Sequence, residues 1–171
     1  CEIMNDDGTM ARLPDLVTFA QKHNLKLGTI ADLIAHRRTT EKLVRKVEEG
    51  AYQHPAGGDW RAVVYANTVE YQEHLALVKG DLSAPGPIMV RMHAVDLLDD
   101  MTASPHWISV HNSMHMIAQA GRGVVVFIRE HRRTALAERV RKLSQNATPG
   151  RVLRDYGIGA QILLDLGVRD M

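Results

Sequence analysis

The feature of the sequence that most constrains the fold is an unbroken apolar run at residues 124–128, which reads Val-Val-Val-Phe-Ile. The run follows Gly121-Arg122-Gly123, a segment that ends any preceding helix. A short continuous run rich in β-branched residues is typical of a strand that is covered on both faces. The run therefore predicts a buried strand inside a packed domain.

Strands and helices alternate around this run. Short and partly alternating apolar segments predict three further strands, at 62–65, 74–78 and 88–92. Apolar residues at helical spacing predict three helices, at 106–120, 134–143 and 158–166. Gly167 is the expected C-cap of the last helix. This alternation indicates an α/β or α+β fold.

The N-terminal part of the chain predicts two helices. The first has apolar residues at helical spacing over 13–20. The second is expected to begin after Thr29, with Asp32 at the third helical position of a capping box. Its inward-facing residues are predicted to be Ile30, Leu33 and Ile34. A short strand is predicted at 25–27.

A domain boundary is predicted at residues 39–59. This segment is polar and contains Glu48-Glu49-Gly50 and Pro55-Ala56-Gly57-Gly58-Asp59. Such clusters of Pro, Gly and Asp are typical of turns and linkers. A short strand at 43–47 is the one regular element we expect there.

Charge and composition exclude several classes of function. Lys and Arg number 21 and Asp and Glu number 20 in 171 residues, so no overall basic charge indicates a nucleic-acid partner. No apolar stretch reaches the about 18 residues of a membrane span, and no signal peptide is recognisable. The one cysteine, Cys1, allows neither an internal disulfide nor a cysteine-rich zinc site, which fits a cytoplasmic protein. Because the chain begins with Cys1 rather than Met, we interpret it as processed or as a fragment.

Charged residues suggest binding chemistry at two places. The acidic N-terminal residues could bind Mg²⁺ or act in acid/base chemistry, or could simply lie in a solvated loop. These residues are Glu2, Asp6 and Asp7. Basic residues recur from 129 to 154, where they predict either phosphate binding or an ordinary basic surface. The residues alone therefore indicate an α/β protein that binds a phosphate compound, without giving a reaction.

Histidines offer a weaker metal-site hypothesis. His111 and His115 are four residues apart, so one helical face could present both imidazoles to one ion. His93 and His106 could join them. The neighbouring methionines favour a packed helix face instead.

The first 38 residues resemble the C-terminal end of the 3,4-dihydroxy-2-butanone 4-phosphate synthase family. The matching text is CEIMNDDGTMARLPDLVTFAQKHNLKLGTIADLIAHRR. The resemblance implies that Glu2 contacts ribulose 5-phosphate and acts in proton transfer as the substrate is converted to the four-carbon ketone phosphate and formate. It also implies Mg²⁺ in the complete synthase, with ligands that lie outside this chain.

The rest of the chain resembles GTP cyclohydrolase II. The matching segments are HLALVKGDL at 74–82, VRMH at 90–93, GRGVVVFIRE at 121–130 and RDYGIGAQILLDLGVRDM at 154–171. The order of the two parts is that of the fused riboflavin-biosynthesis family. The resemblance implies an α+β chain with a synthase fragment at 1–38, a linker at 39–59 and a mixed-sheet cyclohydrolase-like domain at 60–171. Relative to that family, the last domain stops short of a further strand and helix.

The cyclohydrolase-like part departs from its family at the zinc site. The family binds Zn²⁺ through three cysteines; the first of these positions falls on Asp96, and the next two fall near Trp107 and Ser109. The family's catalytic Asp falls on Val152. Because indole and hydroxyl groups do not replace thiolates, we expect zinc to be absent and this part to open no guanine ring.

Several phosphate-facing positions keep their family residues. The resemblance implies phosphate or substrate contacts for Arg91, His93 and Arg133, and a catalytic role at the α-phosphate for Arg154. Three hypotheses follow: a riboflavin-pathway synthase with an inactive appendage, a module that binds GTP or another phosphate compound, and an active cyclohydrolase with non-cysteine ligands. The non-cysteine candidates are His93, Asp96, His106 and His111. Both families imply a homodimer.

Overall fold

The computed structural model describes residues 2–55, 57–69, 71–130, 132, 134–144 and 156–171. The chain divides into two compact units, Cys1–Glu41 and Lys42–Met171. We call them the N-terminal unit and the C-terminal unit.

The N-terminal unit consists of a tight hairpin-like turn and two helices. Met4 and Met10 form an antiparallel bridge around the turn. Helix α1 is Leu13–Lys22 and helix α2 is Ile30–Thr40. Thr29 accepts a hydrogen bond from the Asp32 N–H, and Asp32 accepts one from the Thr29 N–H, so the predicted capping box is confirmed.

Two predictions for the N-terminal unit are wrong. Residues 25–27 form no strand, because they connect α1 to α2 and pair with no neighbouring strand. The residues expected to face inward from α2 are exposed, with Ile30 77% and Leu33 57% exposed. Helical spacing places Ile30, Leu33 and Ile34 on one side of the first turns of α2, but it does not supply a surface that covers them.

The C-terminal unit is built on a five-stranded mixed sheet. Its strands are β1 Val44–His54, β2 Gly58–Asn67, β3 Glu73–Lys79, β4 Val90–Ala94 and β5 Gly123–Ile128. Their order is β1-β2-β3-β5-β4, with β4 and β5 parallel and the other neighbours antiparallel. The α+β class is confirmed.

Four helices accompany this sheet. They are α3 Leu97–Met101, α4 Pro105–Ala120, α5 Ala135–Ser144 and α6 Tyr156–Asp165. Helices α4, α5 and α6 lie within one or two residues of their predicted bounds. Gly167 follows α6 with φ 85°, the left-handed conformation expected of a residue that ends a helix.

The core lies on both faces of β5. Val124 and Val126 face Ile162 and Leu163 of α6. On the opposite face, Val125 packs with a second group from α4, namely Val110, Met114 and Ile117. The unbroken apolar run is therefore a strand buried on both faces, as its composition predicts.

The linker predicted at 39–59 is wrong over most of its length. Residues 44–54 form β1, which pairs along its whole length with β2, and β2 itself begins at Gly58. Strand β1 is an edge strand with almost every residue exposed, so it shows no apolar alternation. Backbone pairing with β2, rather than a buried face, maintains the strand. Across the described residues, no helix has the length and apolar character to cross a membrane.

Candidate functional site

The candidate site lies at the end of β4, where the chain leaves the sheet. Parallel pairing places Arg91 beside Val125 and His93 beside Phe127 of β5. Successive side chains on a strand alternate between faces, so Arg91 and His93 lie on the same face as Val125 and Phe127. That face is the one covered by α4.

His93 is held by a carboxylate. Its Nε2 lies 2.9 and 3.0 Å from the two oxygens of Asp100, and its side chain is fully buried. Asp100 also accepts a hydrogen bond from the Asp96 N–H. A carboxylate at Nε2 favours the tautomer whose proton is on that nitrogen. The other ring nitrogen, Nδ1, is then a buried acceptor, and no described residue donates a hydrogen bond to it.

Aromatic and imidazole rings surround His93. The ring centroids of His106, Phe127 and Trp107 lie 5.0, 5.6 and 5.9 Å from that of His93. Trp107 also contacts His111, with centroids 4.9 Å apart. Side chains therefore fill the space around the His93 ring, and one of them is the indole of Trp107.

Both carboxylate oxygens of Asp96 accept hydrogen bonds from other parts of the chain. Its Oδ1 caps α3 by accepting hydrogen bonds from the Leu98 and Asp99 N–H groups. Its Oδ2 accepts a 2.6 Å hydrogen bond from Nε of Arg139, whose Nη2 lies 3.2 Å from Asp99. The hydrogen bond to Asp96, with the charges of both carboxylates, raises the pKa of Arg139.

These residues do not fit a thiolate zinc site. At the three positions that the resemblance assigns to the family's cysteines, Asp96 is paired with Arg139, Trp107 is an indole and Ser109 is exposed. The non-cysteine candidates do not converge either, since Nε2 of His93 faces Asp100. Within the described part of the chain, no group of three His, Cys, Asp or Glu side chains is arranged to hold a metal.

Only some of the residues predicted to contact phosphate or substrate lie in the described part of the chain. Arg91 is half-buried, and its buried Nε has no hydrogen-bond partner in the part of the chain that the structure describes. Glu2, in the N-terminal unit, is exposed. Arg133 and Arg154, together with Val152, lie outside the described residues. The roles assigned to Glu2, Arg91, His93, Arg133 and Arg154 stay predictions, and His93 reaches no solvent in this arrangement.

Sequence reasoning missed two residues that shape the site. Asp100 and Arg139 carry no local signal, because their partners are found only after folding. On the face of the sheet that α6 covers, His74 of β3 accepts a hydrogen bond from the Arg129 N–H at 3.2 Å, and its buried Nε2 has no hydrogen-bond partner among the described residues. Burial, reinforced by the charge of Arg129, lowers the pKa of His74 to about 4.

Family comparisons match both parts of the chain. Residues 45–171 match the sequence profile of GTP cyclohydrolase II, and residues 1–36 match that of 3,4-dihydroxy-2-butanone 4-phosphate synthase.

Similar proteins carry both parts in the same order. A protein from Pseudomonas syringae pv. tomato named 3,4-dihydroxy-2-butanone 4-phosphate synthase is 39% identical over 98% of this chain and 48% of its own length. Riboflavin biosynthesis protein RibBA from Salinispora tropica is 41% identical over 100% of this chain and 47% of its own length. The chain thus spans about half the length of these curated relatives.

A solved structure is also similar. It is RibBX from A. baumannii, described as a two-domain 3,4-dihydroxy-2-butanone 4-phosphate synthase. The match has a TM-score of 0.66 and 35% identity, and it covers 98% of this chain and 45% of that one.

Proposed function

The chain belongs to the GTP cyclohydrolase II family, and from this premise we propose that it is part of a riboflavin-biosynthesis protein in which only the synthase part is active. The proposed reaction converts ribulose 5-phosphate to 3,4-dihydroxy-2-butanone 4-phosphate and formate. The cyclohydrolase-like part is proposed to be inactive and to serve as an appendage. The observation that carries this proposal is the identity of the side chains where the resemblance places the family's three cysteines. They are Asp96, Trp107 and Ser109.

The chemistry of those side chains supports the loss of cyclohydrolase activity. Opening a guanine ring requires an activated water, which the family obtains from a thiolate-bound metal. Asp96 is already neutralised by Arg139, and Trp107 offers no lone pair to a metal. Loss of the metal and of the proton-accepting Asp at position 152 each removes several kcal/mol of barrier lowering, on the order of 10²-fold or more in rate.

The surface of the N-terminal unit supports a synthase role that needs further polypeptide. Its helices carry large apolar side chains that are mostly exposed, including Leu13, Ile30 and Leu33. Exposed apolar patches of this kind mark surfaces that another element covers. Since these residues match the synthase family, the remainder of a synthase domain is the covering element that fits.

Within that domain, Glu2 is the residue of this chain proposed to touch substrate. Its carboxylate is exposed, so an incoming sugar phosphate can reach it. It would accept or return a proton at a carbon or hydroxyl of the substrate. Mg²⁺, whose ligands lie outside this chain, would stabilise the enediolate oxygens in the complete synthase.

Genetic complementation tests both parts of the proposal. A hybrid protein joins the upstream portion of the Pseudomonas syringae relative to this chain at Cys1. We expect the hybrid to restore growth without riboflavin to a bacterium that lacks the synthase, and not to one that lacks GTP cyclohydrolase II.

Matched variants identify the source of the rescue. Glu2→Gln should abolish rescue, whereas Glu48→Gln, at an exposed position on β1, should leave it intact. Rescue of the strain lacking cyclohydrolase would contradict the proposed inactivity. A stable hybrid that fails to rescue the synthase-deficient strain would contradict the proposed reaction.

A second candidate function is binding of GTP or another phosphate compound by the cyclohydrolase-like part. The observation that favours it is Arg91, whose buried Nε donor has no hydrogen-bond partner among the described residues. Titration calorimetry with GTP tests this function, with Arg91→Met as the variant and Arg45→Met, exposed on β1, as the control. Binding weaker than about 1 mM, or equal binding by both variants, would contradict it.

Two further features belong to this proposal. We propose that the complete protein is a cytoplasmic homodimer, as both families imply. Sedimentation of the hybrid protein at several concentrations would reveal the dimer, and a monomer at all concentrations would contradict it.

A further inference from the structure

No residue of helix α5 is buried, so the helix has little apolar contact with the rest of the described C-terminal unit. It has ten residues, and its large apolar side chains remain about half exposed: Leu136 46%, Val140 51% and Leu143 51%. An isolated helix of this length is marginal in water, because few hydrogen bonds compensate for its nucleation. Some other interaction must therefore hold α5 in its observed place.

Arg139 provides that interaction. Its Nε donates to Asp96 at 2.6 Å, and its Nη2 lies 3.3 and 3.2 Å from the two oxygens of Asp99. The other side-chain hydrogen bonds of α5 are local, such as those that Glu138 accepts from Arg132 and Thr134. Among the described residues, the hydrogen bonds and ion pairs that join α5 to a distant element are those of Arg139.

The carboxylates that accept hydrogen bonds from Arg139 are stabilised by its positive charge. Asp96, Asp99 and Asp100 lie within five residues at the start of α3, where three carboxylates repel one another. Asp100 faces His93, and Asp96 is partly stabilised as the N-cap. The Arg139 side chain is 16% exposed, so water screens this contact less than it screens a surface ion pair.

We propose that Arg139 is an electrostatic clasp that docks α5 on α3, and that loss of the clasp releases α5 while the sheet stays folded. The clasp fixes the position of the basic segment that follows β5, including Arg132, Arg141 and Lys142. Because the side chains of Asp96 and Asp99 remain 27% and 32% exposed, salt still screens their attraction to Arg139, and ionic strength controls the fraction of molecules in which α5 is docked.

Backbone hydrogen exchange on the full 171-residue chain tests the clasp. In the wild type, we expect the amides of 136–144 to exchange about tenfold faster in about 0.5 M NaCl than in about 0.02 M NaCl. The amides of β5 should stay protected in both. Arg139→Met should show the fast rate already at low salt, and Arg139→Lys should recover part of the protection because it keeps the charge.

Arg141→Met is the matched control, since it removes one positive charge from an exposed position on the same helix. It should change the exchange of α5 less than twofold. If Arg139→Met does not fold, Asp99→Asn removes one acceptor, keeps the Asp96 cap, and should raise exchange about threefold. Equal exchange in the Arg139 and Arg141 variants, salt-independent exchange in the wild type, or simultaneous loss of protection in β5 would each overturn the clasp.

Discussion

The two units of the chain place their apolar residues differently. In the C-terminal unit, apolar side chains from two helices cover both faces of β5, and Val63, Val124, Val126 and Ile162 are fully buried. In the N-terminal unit, the buried apolar residues are small, Ala11 and Ala20, while leucines and isoleucines of α1 and α2 face outward. Since hydrophobic burial is the main stabilising contribution to folding, the C-terminal unit contains its own core and the N-terminal unit needs a further surface.

The largest effect is expected from a core residue of the C-terminal unit. Ile162→Ala removes a fully buried side chain from α6 and leaves a cavity against the sheet. We expect the free energy of unfolding to fall by about 2–5 kcal/mol. Urea denaturation followed by circular dichroism measures this change.

The control for that substitution lies two residues further along the same helix. Leu164 is 63% exposed, so Leu164→Ala should change stability by less than about 0.5 kcal/mol. Similar losses for the two variants would show that α6 does not pack on the sheet as described.

Acid is expected to destabilise the C-terminal unit through His74. Burial lowers the pKa of His74 to about 4 in the folded chain from its ordinary value of 6.5. Between these values the unfolded chain binds the extra proton, so stability falls as the pH falls from 6.5 towards 4, by about 2 kcal/mol in total.

The variant His74→Asn checks the origin of this acid sensitivity. Its amide oxygen can still accept the Arg129 N–H, but it does not titrate, so the dependence of stability between pH 6.5 and 4 should flatten. His115→Gln, at an exposed position on α4, should leave that dependence unchanged. An unaltered pH profile in His74→Asn would exclude His74 as the cause.

A smaller effect is expected where α6 meets β2. The Tyr65 hydroxyl donates a 2.9 Å hydrogen bond to Asp165, which also pairs with Lys42. Tyr65→Phe should lower the free energy of unfolding by about 1 kcal/mol, because Asp165 loses its half-buried donor. In the exposed pair Tyr71 and Glu73, Tyr71→Phe should cost less than about 0.5 kcal/mol. Equal losses of stability in the two variants, measured by thermal denaturation, would mean that burial does not strengthen the hydrogen bond between Tyr65 and Asp165.

The smallest effect is expected in the N-terminal unit. Ile30 is 77% exposed, so Ile30→Ser should change the stability of this chain by less than about 0.5 kcal/mol. In the hybrid protein that contains the rest of a synthase domain, the same substitution should cost about 1.5–3 kcal/mol, because the side chain becomes covered. A negligible cost in both proteins, measured by denaturation, would indicate that this face of α2 stays in solvent.

Local signals in the sequence predicted much of the fold. The apolar run of β5, the helical spacing of α4 and α6 and the Thr29 capping box all depend on residues close together in the chain. Strand β1 was not predicted at its full length, because an exposed edge strand depends on its partner and has no buried alternation. The apolar face of α2 was recognised, but its exposure depends on what packs against it.

The candidate site was less predictable than the fold. The unusual residues at the family's cysteine positions were evident in the sequence, including Asp96 and Trp107. The pairing of Asp96 with Arg139 was not, since 43 residues separate them and no spacing rule connects them. The burial of His93 against Asp100 likewise follows from the parallel pairing of β4 with β5, which the sequence pattern alone does not specify.

Metal analysis combined with a GTP assay tests the central claim most directly. The purified 171-residue chain is supplied with Zn²⁺, freed of unbound ions by dialysis, and examined for bound zinc and for release of formate from GTP. The resemblance places the family's three cysteines where this chain has the Asp96 carboxylate, paired with Arg139, the Trp107 indole and the exposed Ser109 hydroxyl. We therefore expect far less than one zinc per chain and no formate. One zinc per chain together with formate release would contradict the account.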